Sequence, residues 1–349
     1  MLSIFVLAAL IWWGGGFMGF GANLRRVLLL ILYGAVLTIL LTLPPEVPLR
    51  ANLGGSIVPW LLLGGAAVLI YLYAYGVRRL KEQAKGKTMS QTPEQKGAFS
   101  ATELNRYARH IVLREIGGAG QKKIKAAKVL VIGAGGLGAP ALQYLAAAGV
   151  GTIGVIDDDD VENANLQRQV IHTDAGIGTP KVFSAQAAME AQNPFITVKP
   201  YHRRLDQDIA TELFAEYDLI LDGTDNFDTR YLVNRVAVDL KKPLISGALT
   251  QWEGQIALFD PANGGPCYQC VFPQAPAAGL APACAEAGVI GPLPGVVGAM
   301  MAVEALKHIT GAGETLRGAM LIYDALYAET RRITLKARAD CPICAGRGG

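Results

Sequence analysis

Charge is scarce where this chain begins. The first 76 of its 349 residues carry four charged side chains, Arg25, Arg26, Glu46 and Arg50. Stretches that apolar argue against a soluble domain built of buried core helices. No basic residue precedes the first apolar run, which excludes the charged start of a cleaved secretory signal. No self-similar repeat of solenoid period is present, which excludes a stacked-repeat architecture. A basic excess is missing from the larger part of the chain. Residues 1–87 hold eight Lys/Arg and two Asp/Glu against a whole-chain charge of +3, which leaves −3 for residues 88–349. The basic character therefore belongs to the N-terminal end, and the remainder does not read as a nucleic-acid binder.

Three long apolar stretches fill the charge-poor region: 2–20, 27–43 and 56–76. At 1.5 Å per residue, about 17–21 residues cross a hydrocarbon core of ~30 Å. Arg78, Arg79, Lys81, Lys85 and Lys87 follow the third stretch and favour the cytoplasmic side. Three spans then put the Pro44–Gly55 loop outside and the Arg25/Arg26 turn inside, so both basic clusters fall on one side. The expected organisation is a transmembrane anchor over 1–80, a basic and polar linker over 81–100, and an enzyme-like domain over 101–349. The expected location is the inner or cytoplasmic membrane, with that domain on the cytoplasmic side. Ser100 and Glu103 form a capping box that opens the first helix of the domain.

Val129–Ile132 is a short apolar, mostly β-branched run, as in a buried parallel strand. Gly133, Gly135 and Gly138 follow with G-x-G-x-x-G spacing, and Gly136 lies between them. An Ala/Leu-rich helix over 139–148 and a second strand over 152–156 come next, ending at Asp157. Glycines let a backbone approach phosphate, a helix N-terminus favours its charge, and a carboxylate about 20 residues on suits a ribose. This motif points to nucleotide binding and does not choose between ATP and a nicotinamide dinucleotide. Further strands are expected at 219–221, 243–246, 255–259, 320–323 and 333–335, with helices near 229–240 and 296–309. The alternation predicts an α/β fold: a Rossmann-like domain whose mostly parallel sheet is extended by later strands.

Cysteine is used sparingly and in a pattern. Cys267/Cys270 and Cys341/Cys344 are two C-x-x-C pairs about seventy residues apart. Four thiolates fit one closed, structural, tetrahedral zinc. A disulfide pairing is disfavoured on a reducing cytoplasmic face. Cys284 stands outside both pairs.

Several longer motifs surround these features: R-Y-A-R-H-I at Arg106–Ile111, G-A-G-G-L-G from Gly133, N-L-Q-R-Q at Asn165–Gln169, D-G-T-D-N at Asp222–Asn226 and E-A-G-V at Glu286–Val289. Over about Leu104 to Gly346 the chain resembles the MoeB/ThiF/HesA family, bacterial relatives of ubiquitin-activating enzymes. Within that family it is similar to the molybdopterin-synthase adenylyltransferases. The membrane segment, and the lack of a rhodanese-like extension after Cys344, depart from the usual pattern.

The resemblance implies ATP-dependent adenylation of the C-terminal glycine carboxylate of a ubiquitin-like sulfur carrier ending in Gly-Gly. It implies ATP as substrate, Mg²⁺ as catalytic ion and Zn²⁺ as structural ion. By the same resemblance Arg168 and Lys181 neutralise phosphate, Asn165 and Gln169 lie beside it, Asp225 ligates magnesium, and Asp222 is a less clear carboxylate. Arg109 reaches into the site of a second subunit, which implies a homodimer. Cys284 takes part in covalent chemistry in some members. Asp157 is expected to face ribose, with Asp158, Asp159 and Asp160 solvated or helix-capping. The alternatives are the same chemistry on the thiamine-pathway carrier, a nicotinamide oxidoreductase suggested only by the glycines, and a membrane-tethered scaffold that binds ubiquitin-like proteins without activating them.

Overall fold

The structure is a computed structural model. It describes every residue except 1, 45, 90–98, 277–286 and 346–349, and it describes no side chain at 2, 22, 78 and 80–89. The chain divides into two compact units, Met1–Gln95 and Lys96–Gly349.

In the first unit, Ala22–Thr42 and Val58–Met89 are long helices. Asn23–Thr42 and Val58–Val77 are long and apolar enough to cross a membrane. The first apolar stretch differs from the expectation of a third such span. It is helical only over Leu2–Ala9, a π-helical Leu10–Gly14 and Gly15–Phe17. Gly19, with φ +80°, ends it in a turn. Phe5 stacks on Trp60 at 6.0 Å, and the Tyr33 hydroxyl donates to the Trp60 carbonyl at 2.6 Å. A small cluster of Val36, Leu40, Leu53 and Trp60 is buried, whereas Leu62, Leu69 and Ile70 are exposed.

The second unit is built on one eight-stranded sheet in the order β3-β2-β1-β4-β5-β6-β7-β8. The strands are β1 (Lys128–Ile132), β2 (Thr152–Asp157), β3 (Thr197–His202), β4 (Leu219–Asp222), β5 (Leu244–Leu249), β6 (Glu253–Phe259), β7 (Ala319–Asp324) and β8 (Glu329–Thr334). β1 to β5 pair in parallel, and β5 to β8 pair antiparallel. β1 is central because Val129, Leu130, Val131 and Ile132 are buried on both faces. Burial of each such side chain contributes about 1.5–3 kcal/mol. The helices Gly138–Ala148 and Pro292–Thr310 contribute to the core on one face, and Gln207–Ala215 and Phe227–Asp239 to that on the other.

Two expectations change here. β3 carries Lys199 and Pro200 and buries little beyond Val198, so it lacks the apolar signature of a central strand. It is an edge strand that pattern reading passes over. β8 runs over Glu329–Thr334 rather than 333–335; all its residues are exposed, and its arginines keep a bare sheet edge charged.

The capping box is present, with Ser100 Oγ accepting from Glu103 N at 3.2 Å and Glu103 Oε2 accepting from Ser100 N at 2.8 Å. The helix it opens is broken. It divides at Tyr107 into Ala101–Arg106 and Ala108–Ile111. The Tyr107 ring is buried over Gly149, where a Cβ would lie 2.4 Å from it, and its hydroxyl accepts from Asn193 Nδ2 at 2.9 Å.

Candidate functional site

The strand order reverses at β1, whose neighbours β2 and β4 lead their connections away in opposite directions. Such a crevice, outside the carboxyl ends of parallel strands, is where doubly wound sheets bind ligands. A cleft of about 1170 Å³ opens there.

The glycine loop forms its floor. Gly133 has φ +90°, a conformation that side chains with a Cβ rarely adopt. A Cβ at Gly138 would lie 1.8 Å from the Gly133 carbonyl oxygen, so this glycine closes the turn. Gly133, Gly135 and Gly136 line the cleft, whereas Gly138 does not. At Gly135 a Cβ would meet only Gln169 Nε2, at 3.7 Å, so the backbone there lies open to an incoming group. Gln169 is 4% exposed, and its Oε1 has no hydrogen-bond partner. An orphaned buried acceptor at a cleft wall fits a site completed by a ligand.

Asp157 ends β2 and turns back to the loop. Its Oδ2 accepts from Ala134 N at 2.7 Å, and its Oδ1 accepts from Asp159 N at 2.8 Å. Burial raises its pKa, against the opposing pull of Lys181 and these two N–H groups. Lys181 begins the helix Lys181–Gln192 and is only 4% exposed. Its Nζ pairs with Asp159 Oδ2 at 2.6 Å, and its backbone N donates to the Asp159 carbonyl at 2.9 Å. Asp159 is thus an ion-pair partner of the cleft lysine. Its side chain stays solvent-exposed, as expected, and the ion pair adds to that expectation, because a lysine this buried needs an anion beside it.

Arg168 lines the cleft; its Nη2 donates to Asn165 Oδ1 at 2.9 Å and its Nη1 to the Ala164 carbonyl at 3.2 Å. Asn165 is not among the residues that line the cleft, and its Oδ1 holds the Arg168 guanidinium. Asp225 lines the cleft with an exposed side chain. The cap of the next helix is Asn226, whose Oδ1 accepts from Thr229 N at 2.9 Å, which leaves the Asp225 carboxylate uncommitted to that task. A single exposed carboxylate suits a water-rich magnesium ion. Asp222 is 1% exposed and spent on structure, accepting from Thr224 N at 3.0 Å and Thr224 Oγ1 at 2.7 Å. Arg109 is exposed and lies outside the cleft of its own chain. Cys284 falls outside the described residues.

Sequence reasoning missed Arg230. It is 5% exposed, lines the cleft and ties its far wall together. It donates to Ser246 Oγ at 3.1 Å, to the Gly247 carbonyl at 2.8 Å and to the Thr224 carbonyl. Its one signal in the sequence is position. An arginine in the first turn of a helix opposes the helix dipole and so needs another reason to be there.

Away from the cleft, Cys267, Cys270, Cys341 and Cys344 are all buried, with their sulfurs within 4.8 Å of one another. Sγ–Sγ distances are 3.8 Å for Cys267–Cys270, 3.6 Å for Cys267–Cys341 and 3.3 Å for Cys270–Cys344. A tetrahedron of sulfurs at ~2.3 Å from zinc has edges of about 3.8 Å. The donor set and spacing therefore fit zinc. Burial pushes the Cys267 thiol up to about 11 and raises Cys344 further. Burial acts the same way on Cys341, yet hydrogen bonds from the N–H groups of Cys344 and Ile343 and from the Cys267 and Cys344 thiols together bring that thiol down to about 7.

A ThiF family profile matches residues 107–343. The chain belongs to the ThiF family. Among relatives of this ThiF-family chain is the sulfur carrier protein adenylyltransferase of Thermus thermophilus, 50% identical over 250 residues, 70% of this chain and 92% of that one. The SAMP-activating enzyme E1 of Haloferax volcanii is 47% identical over 252 residues, 72% of this chain and 92% of that one. The probable adenylyltransferase/sulfurtransferase MoeZ of Mycobacterium tuberculosis is 50% identical over 71% of this chain and 64% of its own. Among solved structures, E. coli MccB crystallised with ATP superposes with a TM-score of 0.61 at 24% identity, covering 69% of this chain and 75% of that one. At that identity the likeness establishes the α/β fold.

Proposed function

We propose that this chain is an adenylyltransferase. It couples ATP to the C-terminal glycine carboxylate of a ubiquitin-like sulfur-carrier protein and releases pyrophosphate. The observation that carries the reading is the convergence of Lys181, Arg168 and Asp225 on the glycine-loop cleft of a ThiF-family chain. The relatives named for carrier adenylation at 50% identity support the same chemistry.

The reaction forms a bond from a carboxylate oxygen to the α-phosphorus and breaks the bond from that phosphorus to the pyrophosphate oxygen. A terminal carboxylate is ionised at neutral pH, so no general base is needed. The work left to the protein is to align two anions and screen their charge. Asp157, beside the glycine loop, is read as receiving the ribose hydroxyls. Lys181 and Arg168 present positive charge to the phosphates, and Asn165 holds the Arg168 guanidinium in place. Asp225 would hold Mg²⁺, which supplies charge neutralisation at the phosphates when bound. The four cysteines would hold a structural Zn²⁺ and take no part in the reaction. ATP–pyrophosphate exchange that requires a carrier ending in Gly-Gly tests the reading. Full-length protein with ATP, Mg²⁺ and the molybdopterin- and thiamine-type carriers, yet no exchange, would reject it, and the carrier that works names the pathway.

Arg109 is read as serving the cleft of a second copy. Tyr107 and His110 are bound into their own subunit, through Asn193 and Gln121. They flank an arginine that does not reach its own cleft. Arg109→Ala is expected to remove exchange activity and leave the dimer intact by light scattering; wild-type exchange in that variant would refute the role.

The N-terminal unit is read as a membrane anchor. Leu61, Leu62, Leu69, Ile70 and Tyr71 are 53–70% exposed, which suits lipid and not the core of a soluble domain. The basic residues after Val77 favour a cytoplasmic adenylation domain. The full-length chain is expected to stay in the pellet after alkaline carbonate extraction; its release would overturn the anchor.

A further inference from the structure

The glycine loop is gripped by a residue that does not border the cleft. His172 is 6% exposed. Its Nε2 lies 2.9 Å from the Ala134 carbonyl oxygen, and its Nδ1 lies 2.9 Å from Ser184 Oγ. Burial lowers its pKa, the bond to the Ala134 carbonyl opposes this and the Lys181 charge adds to it, so the surroundings favour the neutral ring. A carbonyl oxygen can only accept. Nε2 therefore carries the proton, and Nδ1 accepts from the Ser184 hydroxyl. Ser184 thereby fixes the tautomer. It sits in the first turn of the helix that begins with Lys181.

The Ala134 carbonyl and the Gly135 N–H belong to one peptide, and every peptide bond described is trans. In a trans peptide the C=O and N–H point in opposite directions. Holding the carbonyl toward His172 therefore turns the Gly135 N–H to the other side, where the cleft lies. The preceding peptide is pinned too, because Ala134 N donates to Asp157. Gly135 has no side chain to resist rotation of the peptide. Were that peptide to flip, a carbonyl oxygen would face the cleft in place of a donor, and an oxygen dipole so aimed repels phosphate.

We propose that His172 is a positioning residue that locks the Ala134–Gly135 peptide with its N–H facing the cleft, as a donor to a nucleotide phosphate. This rests on the reading that the cleft binds ATP. One helix then serves the phosphates twice, directly through Lys181 and indirectly through Ser184, His172 and the loop amide.

Calorimetric titration of the full chain in detergent tests this, with ATP and adenosine as separate probes. Adenosine keeps the base and ribose and lacks the phosphates. His172→Ala is expected to weaken ATP about 10- to 100-fold, the range for a hydrogen bond to a charged group, and to leave adenosine within about twofold. His172→Gln, whose amide can donate to the same carbonyl, should recover most of the loss. Ser184→Ala should weaken ATP by about threefold through loss of the tautomer lock. Equal loss of ATP and adenosine binding in His172→Ala, or no loss of ATP, overturns the proposal. If His172→Ala does not fold, the ATP-to-adenosine ratio in Ser184→Ala decides, and an unchanged ratio overturns it. Failure of the wild-type chain to bind ATP at all would instead reject the nucleotide reading.

Discussion

Lys181→Met is expected to lower carrier-dependent pyrophosphate exchange by about 10²–10³-fold, the usual cost of removing one preorganised donor from a site of developing charge. The size of the effect follows from where the lysine sits. Its side chain is 5% exposed, so its charge is poorly screened by water. Without a nucleotide that charge is met by Asp159 at 2.6 Å and, through space, by Asp157. A triphosphate must compete for it, and the competition is winnable because the Asp159 side chain is 66% exposed and can return to solvent. In Lys181→Met the two carboxylates lose that cation, and incoming phosphate meets negative charge without compensation. The methionine keeps most of the buried volume, so the melting temperature should move little while activity collapses. Exchange within about threefold of wild type would remove Lys181 from the phosphate site.

Loss of metal from the cysteine cluster is expected to have the second large effect, on stability. The cluster ties the segment after β6, through Cys267 and Cys270, to the segment after β8, through Cys341 and Cys344. The Arg338 N–H also points at Cys270 Sγ, at 3.4 Å, a contact that favours a thiolate. Structural zinc carries about 10 kcal/mol or more of apparent binding free energy, part of which is folding free energy. Cys341→Ser should therefore lose zinc and lower the melting temperature of the second unit by about 10 °C or more. The thiols bear on pH as well. Burial pushes the Cys267 thiol up to about 11 and raises Cys344 further, so both would have to give up protons to hold zinc. Zinc affinity should accordingly rise with pH and fall in acid. Metal analysis of the folded wild-type chain checks the premise: about one zinc per chain is expected, and a folded chain free of zinc would contradict the site.

Much of the site was legible because its parts are local in sequence. Gly133, Gly135, Gly136 and Asp157 occupy one strand-turn-helix-strand unit, and a chain of that pattern has few ways to fold. The cysteine pairs were legible because thiol ligands in two C-x-x-C steps leave little else to do. Edges and breaks were harder to read. β3 escaped notice because an edge strand buries one side chain where a central strand buries four. The break in the helix before the sheet is not legible, because nothing nearby in sequence shows that Tyr107 inserts over Gly149. Arg230 and His172 went unassigned for a similar reason. Their partners, Gly247 and Ser246 for the one and Ala134 and Ser184 for the other, are set by the packing of distant segments.

The sequence by itself determined the family, the parallel, glycine-loop half of the sheet, the four-cysteine set and the apolar N-terminal segment. Each of these is written in side-chain type and spacing within a short window. Only the tertiary structure decided that Asp159 holds Lys181, that Asn165 holds the Arg168 guanidinium, that Arg109 stands outside its own cleft, and that a buried histidine faces the back of the glycine loop. Those are matters of direction. Which way a group points depends on what is packed behind it, and that is fixed only when separate parts of the chain meet.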